Sequence, residues 1–224
     1  MKSLQKMGGV AALYEAAAYI VGMVGFLLVV DVSGVADPVQ KVALMVDNQA
    51  FLHIMHLLIY VVWAVFLVVL ALALYERLKA GSTAMVQTAT VFAMIWACVI
   101  IAAGTIYIAG MENVIDLYGK DPAQAATVWL AIDSVIEGLG GSNELLGGIW
   151  ILLISWAALR GGALPRVLNY LGVAIGVAGI LSIVPALAEL LIYIFALGQI
   201  VWFVWLGIVM LRNSPRAAAT SAAA

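Results

Sequence analysis

Cys98 is the only cysteine, so no intrachain disulfide can form, and its place inside a long apolar run suits a small, inert hydrophobe in a packed bundle. Charge is scarce as well. Only 10% of the residues are Asp, Glu, Lys or Arg, too few to coat a soluble globule of 224 residues, and no basic tract is offered to nucleic acid. No glycine-rich phosphate loop, Ser-His-Asp ordering or paired-cysteine metal motif occurs, which removes the positive reason to read an enzyme. Histidine is limited to His53 and His56 on one helix face, so haem cannot receive axial ligands on both sides; single-His ligation of haem or a pigment stays open without specific support. The absence of a convincing internal repeat weakens a repeat-built transporter reading.

What is present in quantity is apolar residue, 66% of the chain with a mean hydropathy of +1.16. It is grouped into runs at 9–31, 51–75, 84–110, 143–160, 167–187 and 190–211, most of them near the ~20 residues that a helix needs to cross hydrocarbon. Lys2, Lys6, Arg77, Lys79, Arg160, Arg166, Arg212 and Arg216 flank one side of these runs; only Lys41 and Lys120 fall on the other. Asp31, Asp37, Asp47, Glu112, Asp116, Asp121, Asp133 and Glu137 gather in two long loops on that second side. The positive-inside rule then predicts an all-α, polytopic, multi-pass protein of six transmembrane helices with both termini cytoplasmic. The first run lacks a cleavage pattern and reads as a retained helix. Residues 1–212 are expected to form one domain, with a disordered Ala/Ser-rich cytoplasmic tail at 213–224.

Each long outer loop carries an amphipathic segment. Asp37 can cap a helix that Pro38 begins, and Asp121-Pro122 repeats the device, so both loops are expected to hold helices lying on the outer surface. The inner links, Glu76 to Thr83 and Arg160 to Arg166, are short and make the helices they join antiparallel neighbours. Arg160 and Arg166 suit anchoring at anionic headgroups. Gly172, Gly176 and Gly179, with Gly22 and Gly25 earlier in the chain, allow close backbone approach within the bundle or between subunits. Tyr14, Tyr75, Trp129, Tyr170 and Tyr193 suit the interfacial belts, whereas Trp63, Trp96, Trp202 and Trp205 lie deeper, where they pack or line a hydrophobic cavity.

From Asn143-Glu144 through Gly-Gly-Ile-Trp150 to Arg160-Gly-Gly-Ala-Leu-Pro165-Arg166 and Gly172, the chain resembles the bacterial DUF4386 family. The opening Gly9-Val-Ala-Ala-Leu-Tyr14 and the helix ending Ala-Leu-Tyr75-Glu-Arg77 are similar to it too, so the resemblance extends over nearly the whole chain. It implies a six-helix architecture in the bacterial inner membrane and no catalytic residue. His53, His56 and Glu15 stand where that pattern leads one to expect apolar residues.

Ionisable groups at membrane depth are the places to look for chemistry, because hydrocarbon penalises them. Glu15 lies well inside the first helix, either as a protonated acid hydrogen-bonded to a neighbouring helix or as an intramembrane proton site. At the outer end of the second helix, His53 and His56 are three residues apart and share a face. Glu144 and Glu189 are expected at the same level, with Asp47 and Asn143 near. His53, His56, Glu144 and Glu189 could hold a divalent metal such as Zn²⁺, form a proton relay, or be plain interfacial groups; the His-x-x-His spacing lacks the zincin signature. Three classes follow. The favoured one is a non-enzymatic accessory, structural or small-ligand-binding bundle in the lipid bilayer, as a homo-oligomer or a subunit of a larger membrane complex. The others are a proton- or ion-coupled transporter using Glu15 and the outer cluster, and a metal-dependent membrane enzyme at the outer leaflet.

Overall fold

The computed structural model describes residues 2–30, 34–140 and 142–212. Asp31, Gly141 and the segment 213–224 with Arg216 lie outside the described residues. Every regular element among the described residues is helical: α1 (Lys2–Leu28), α2 (Pro38–Asp47), α3 (Gln49–His56), a π-helical stretch (Leu57–Val62), α4 (Trp63–Leu78), α5 (Thr83–Tyr118), α6 (Pro122–Gly140), α7 (Ser142–Gly161), α8 (Arg166–Leu181) and α9 (Ala188–Arg212). Five stretches are long and apolar enough to cross a membrane: Ser3–Val29, Gln49–Leu78, Thr83–Tyr118, Pro122–Gly161 and Ala188–Arg212. With the large apolar side chains exposed on them, such as Leu28, Val91, Leu130 and Leu197, they make a multi-pass membrane protein.

The fifth apolar run, 167–187, is shorter as a helix than as a sequence. Its helix α8 ends at Leu181, and the chain turns through residues 182–187 before α9. Pro185 accounts for the break, since it has no N–H to donate and disfavours helix in the residue before it. Ser182 closes α8 by donating from its hydroxyl to the Gly179 carbonyl at 2.7 Å. In the opposite direction, α5 runs to Tyr118, beyond the apolar run that ends at 110. At 36 residues it is about 54 Å long, well over the ~30 Å of hydrocarbon. The extra length is where α2 and α6 pack. Val42, Met45, Met111, Val114, Ala125 and Trp129 make a second core there, separate from the Trp63, Trp96, Trp150 and Trp202 core of the bundle.

Both proline-started helices form as their sequences predict. Asp37 Oδ1 accepts from the Val39 amide at 3.0 Å, and Asp121 Oδ1 accepts from the Gln124 amide at 3.0 Å. The short links likewise bring α4 against α5 and α7 against α8. At the basic end, Arg77 turns into the protein: its guanidinium donates twice to the Ala163 carbonyl, at 3.3 and 3.1 Å, and once to Gln5 Oε1 at 3.2 Å. Gln5 donates onward to the Ala73 carbonyl at 2.8 Å, so α1, α4 and the α7–α8 turn are tied at one point. Cys98 differs from expectation. It is exposed rather than packed in the bundle, because α5 is apolar all round and its sequence does not say which face turns inward.

Glycines set the closest contacts. A Cβ added at Gly148 would lie 2.8 Å from the Gly176 carbonyl oxygen and 2.9 Å from the Ile180 nitrogen, both backbone atoms that cannot step aside. Gly138 has nothing within 4 Å of such a carbon. Gly148→Ala should therefore destabilise the bundle by about 1–3 kcal/mol, whereas Gly138→Ala should be neutral or gain up to about 1 kcal/mol from helix propensity. Denaturant midpoints in detergent micelles check this. Equal midpoints for the two variants would show that α7 and α8 are not in backbone contact.

Candidate ligand cavity

One histidine turns inward where the second span changes winding. His56 closes α3 and is only 4% exposed, and the π-helical stretch follows it directly. Such stretches loosen the backbone ladder and recur beside functional sites. Here the Leu58 carbonyl inside the stretch accepts from the Tyr14 hydroxyl of α1 at 2.9 Å, which ties the loosened turn to a neighbour. His56 Nδ1 lies 2.8 Å from the Leu52 carbonyl oxygen. A carbonyl can only accept, so Nδ1 carries a proton, and in the neutral ring Nε2 is left as a lone-pair acceptor. The imidazole is held flat between Tyr60 and Tyr107, with ring centroids 5.2 and 3.3 Å away and interplanar angles of 13° and 8°. Phe26 meets it edge-on, and Trp129 supports Tyr107 from behind in the same way.

Facing this histidine is a cavity of about 670 Å³, within the ~300–1,000 Å³ range of small-molecule sites. Its apolar wall comes from Gly22, Met23 and Phe26 of α1, Ile59 and Trp63 of the second span, and Ile100 of α5. Its polar lining comes from Asp133 and Glu137 of α6 and from Asn143 and Glu144 of α7, and the tyrosines Tyr19, Tyr60 and Tyr107 line it as well. Asn143 organises that polar lining. Its Oδ1 accepts from Trp96 Nε1 at 2.8 Å, while its Nδ2 makes longer contacts to the Tyr19 hydroxyl at 3.5 Å and to Glu144 Oε1 at 3.4 Å. The indole bond fixes the asparagine's orientation, and the asparagine holds the Tyr19 hydroxyl and the Glu144 carboxyl in place.

Of the residues singled out by sequence, the structure brings His56 and Glu144 to one cavity. His53 lies instead in a separate groove with Gln49, Glu112 and Asp116. A three-residue step turns about 300° round a helix, and the residual ~60° is enough to put the two imidazoles on opposite sides of a ridge. Glu189 is exposed in the first turn of α9 and lines neither cavity. Among the described residues no group of three or more His, Cys, Asp or Glu side chains is placed to hold a metal ion.

Glu15 is fully buried, and among the described residues neither of its carboxyl oxygens has a hydrogen-bond partner, so the expected bond to a neighbouring helix is not formed. Gln199 is buried with both amide atoms unpartnered too, as are the indole nitrogens of Trp63, Trp150 and Trp202. Asp133 and Glu137 passed as loop acids in the sequence, and Tyr19, Tyr60 and Tyr107 carried no motif. The available signal was a set of tyrosines inside apolar runs, away from the interfacial belts, two of them four residues after an ionisable group: Tyr19 after Glu15 and Tyr60 after His56.

Comparison with curated proteins and with solved structures gives no match. The family described as "Domain of unknown function (DUF4386)" matches residues 10–209, nearly the whole helical bundle, and this chain belongs to it.

Proposed function

We propose that this protein is a non-enzymatic, small-ligand-binding bundle of the bacterial cytoplasmic membrane, serving as a binding or accessory component. The observation that carries the reading is the cavity at the acidic end. Its walls are largely aromatic and aliphatic, they come from α1, the second span, α5, α6 and α7, and a few fixed polar groups converge on it. That is the usual make-up of a small-molecule site, and the sequence carries no catalytic motif that would add a reaction to it. In this reading the chain crosses six times. Helix α8, about 24 Å long at 16 residues, completes its crossing with the turns that follow it. Both termini face the cytoplasm, as the lysine and arginine distribution favours, and α2 and α6 lie on the outer side with the cavity opening there.

A proton-coupled carrier is the second reading, favoured by Glu15, a carboxyl buried in a span without a partner among the described residues. A carrier needs a polar path from Glu15 to the cavity. The hydrogen bonds that run down from Asn143 reach Tyr19, one helical turn from Glu15, and Glu15 itself makes none among the described residues. The binding reading therefore takes precedence.

Two measurements check the proposal. On a Cys98→Ala background, Gln124→Cys should react with an impermeant maleimide added outside cells, and Ala80→Cys only after the membrane is opened; both positions are exposed. The reverse pattern would invert the orientation. For the cavity, 1-N-phenylnaphthylamine should show saturable energy transfer from tryptophan in the purified protein. Gly22 lines the cavity and a Cβ there makes only ordinary contact, 3.4 Å from Ile59, so Gly22→Leu should fold and fill the space. Its apparent Kd should rise about tenfold or more, a loss of ~1.4 kcal/mol. An unchanged Kd in a variant with wild-type Tm would mean that the probe sits elsewhere.

A further inference from the structure

We infer that the cavity takes an organic cation, an ammonium or similar head on an apolar body. The inference rests on the binding reading above and deepens it. Three carboxylate side chains line the space, Asp133, Glu137 and Glu144, and no lysine or arginine does. None of the three is in an ion pair among the described residues; Lys41 of α2 acts on Asp133 electrostatically without lining the cavity. Asp133 and Glu137 are also one helical turn apart on α6, a spacing at which like charges destabilise a helix. A bound cation would relieve that repulsion.

The second observation is independent of the acids. His56 is more than nine-tenths buried on the cavity wall, its Nδ1 is committed to the Leu52 carbonyl, and no described group bonds to Nε2. In the neutral ring that nitrogen is an acceptor presented to the cavity. Asn143, which could have donated, is already held by Tyr19 and Glu144. The polar lining thus holds three acidic side chains and a ring-nitrogen acceptor with no basic side chain among them, beside tyrosine hydroxyls that can accept as well as donate, which suits a ligand that donates hydrogen bonds and carries positive charge. The apolar lining of Met23, Phe26, Ile59 and Trp63 receives the apolar body, and aromatic side chains add their own attraction for a cation.

The same chemistry has two sources, a membrane lipid with an amine headgroup and a free amphipathic amine. Displacement of 1-N-phenylnaphthylamine in neutral maltoside micelles separates the questions. Dodecyltrimethylammonium should displace the probe at about tenfold lower concentration than the neutral dodecanol. The doubly neutralised D133N/E144Q protein should keep the probe and lose the preference. If that protein does not fold, Glu137→Gln at the exposed rim should reduce the preference in its place. Native mass spectrometry of the wild-type protein then assigns the source. Retained phosphatidylethanolamine points to the lipid, and a cation preference without retained lipid points to a free amine. Retention of phosphatidylglycerol alone, a cation that displaces no better than dodecanol, or a preference that survives neutralisation overturns the inference. Failure of the probe to bind at all would instead overturn the binding reading on which it rests.

Discussion

Hydrocarbon offers no hydrogen bonds, and nearly everything in this fold follows from that. Backbone groups in a span must be satisfied within the helix, which is why nearly all of the described apolar sequence is helical, the turn at 182–187 excepted. Side chains face the same demand. Arg77 and Gln5 meet it by reaching backbone carbonyls, and Trp96 meets it through Asn143. With no hydrophobic drive to join helices inside lipid, close packing must do so, and glycines on α7, α8, α9 and α1 let backbones approach within van der Waals contact. The polar groups that escape this rule are then informative. Among the described residues they include Glu15, Gln199 and the indole nitrogens of Trp63, Trp150 and Trp202 in the interior, and on the cavity wall His56 commits only its Nδ1 to a carbonyl.

The cavity exists because α5 outruns the rest of the bundle. Its end beyond 110 carries α6 on one side, and α6 hands the chain on to α7 close to where the second span changes winding at His56. Acids that would be unremarkable on a solvated loop are thereby brought against aromatic walls. The stacked Tyr60–His56–Tyr107 set stiffens one side, and the Trp96–Asn143 bond stiffens the other. A site whose walls are held in this way costs little to organise when a ligand arrives.

Much of the architecture was legible in the sequence, since run length and caps act locally. The helix starts at Pro38 and Pro122, the tight Arg160–Arg166 link and the close packing at Gly172, Gly176 and Gly179 stand as read, whereas Gly22 meets only a side chain at ordinary distance. What could not be read was which way each helix faces. Spans that are apolar all round carry no stripe, so nothing in the sequence turned Cys98 outward or parted His53 from His56. Glu189 and Glu144 were placed at one level by depth alone, and depth does not bring side chains together. The shortening of α8 could have been foreseen from Pro185, which interrupts an otherwise continuous apolar run. The cavity itself had no sequence signal as a unit, because five separate segments contribute to it.

The central claim is that a preformed cavity with His56 and Glu144 on its walls sits where α1, the second span and α5 meet α6 and α7. A density map of the protein in lipid nanodiscs, with a rigid binder as fiducial, tests it most directly. The account requires an open space of about 670 Å³ bounded by Tyr19, His56, Tyr107 and Glu144, with α6 packed along the end of α5. A map in which α6 lies away from α5, or in which the tyrosines collapse to fill that space, would contradict it.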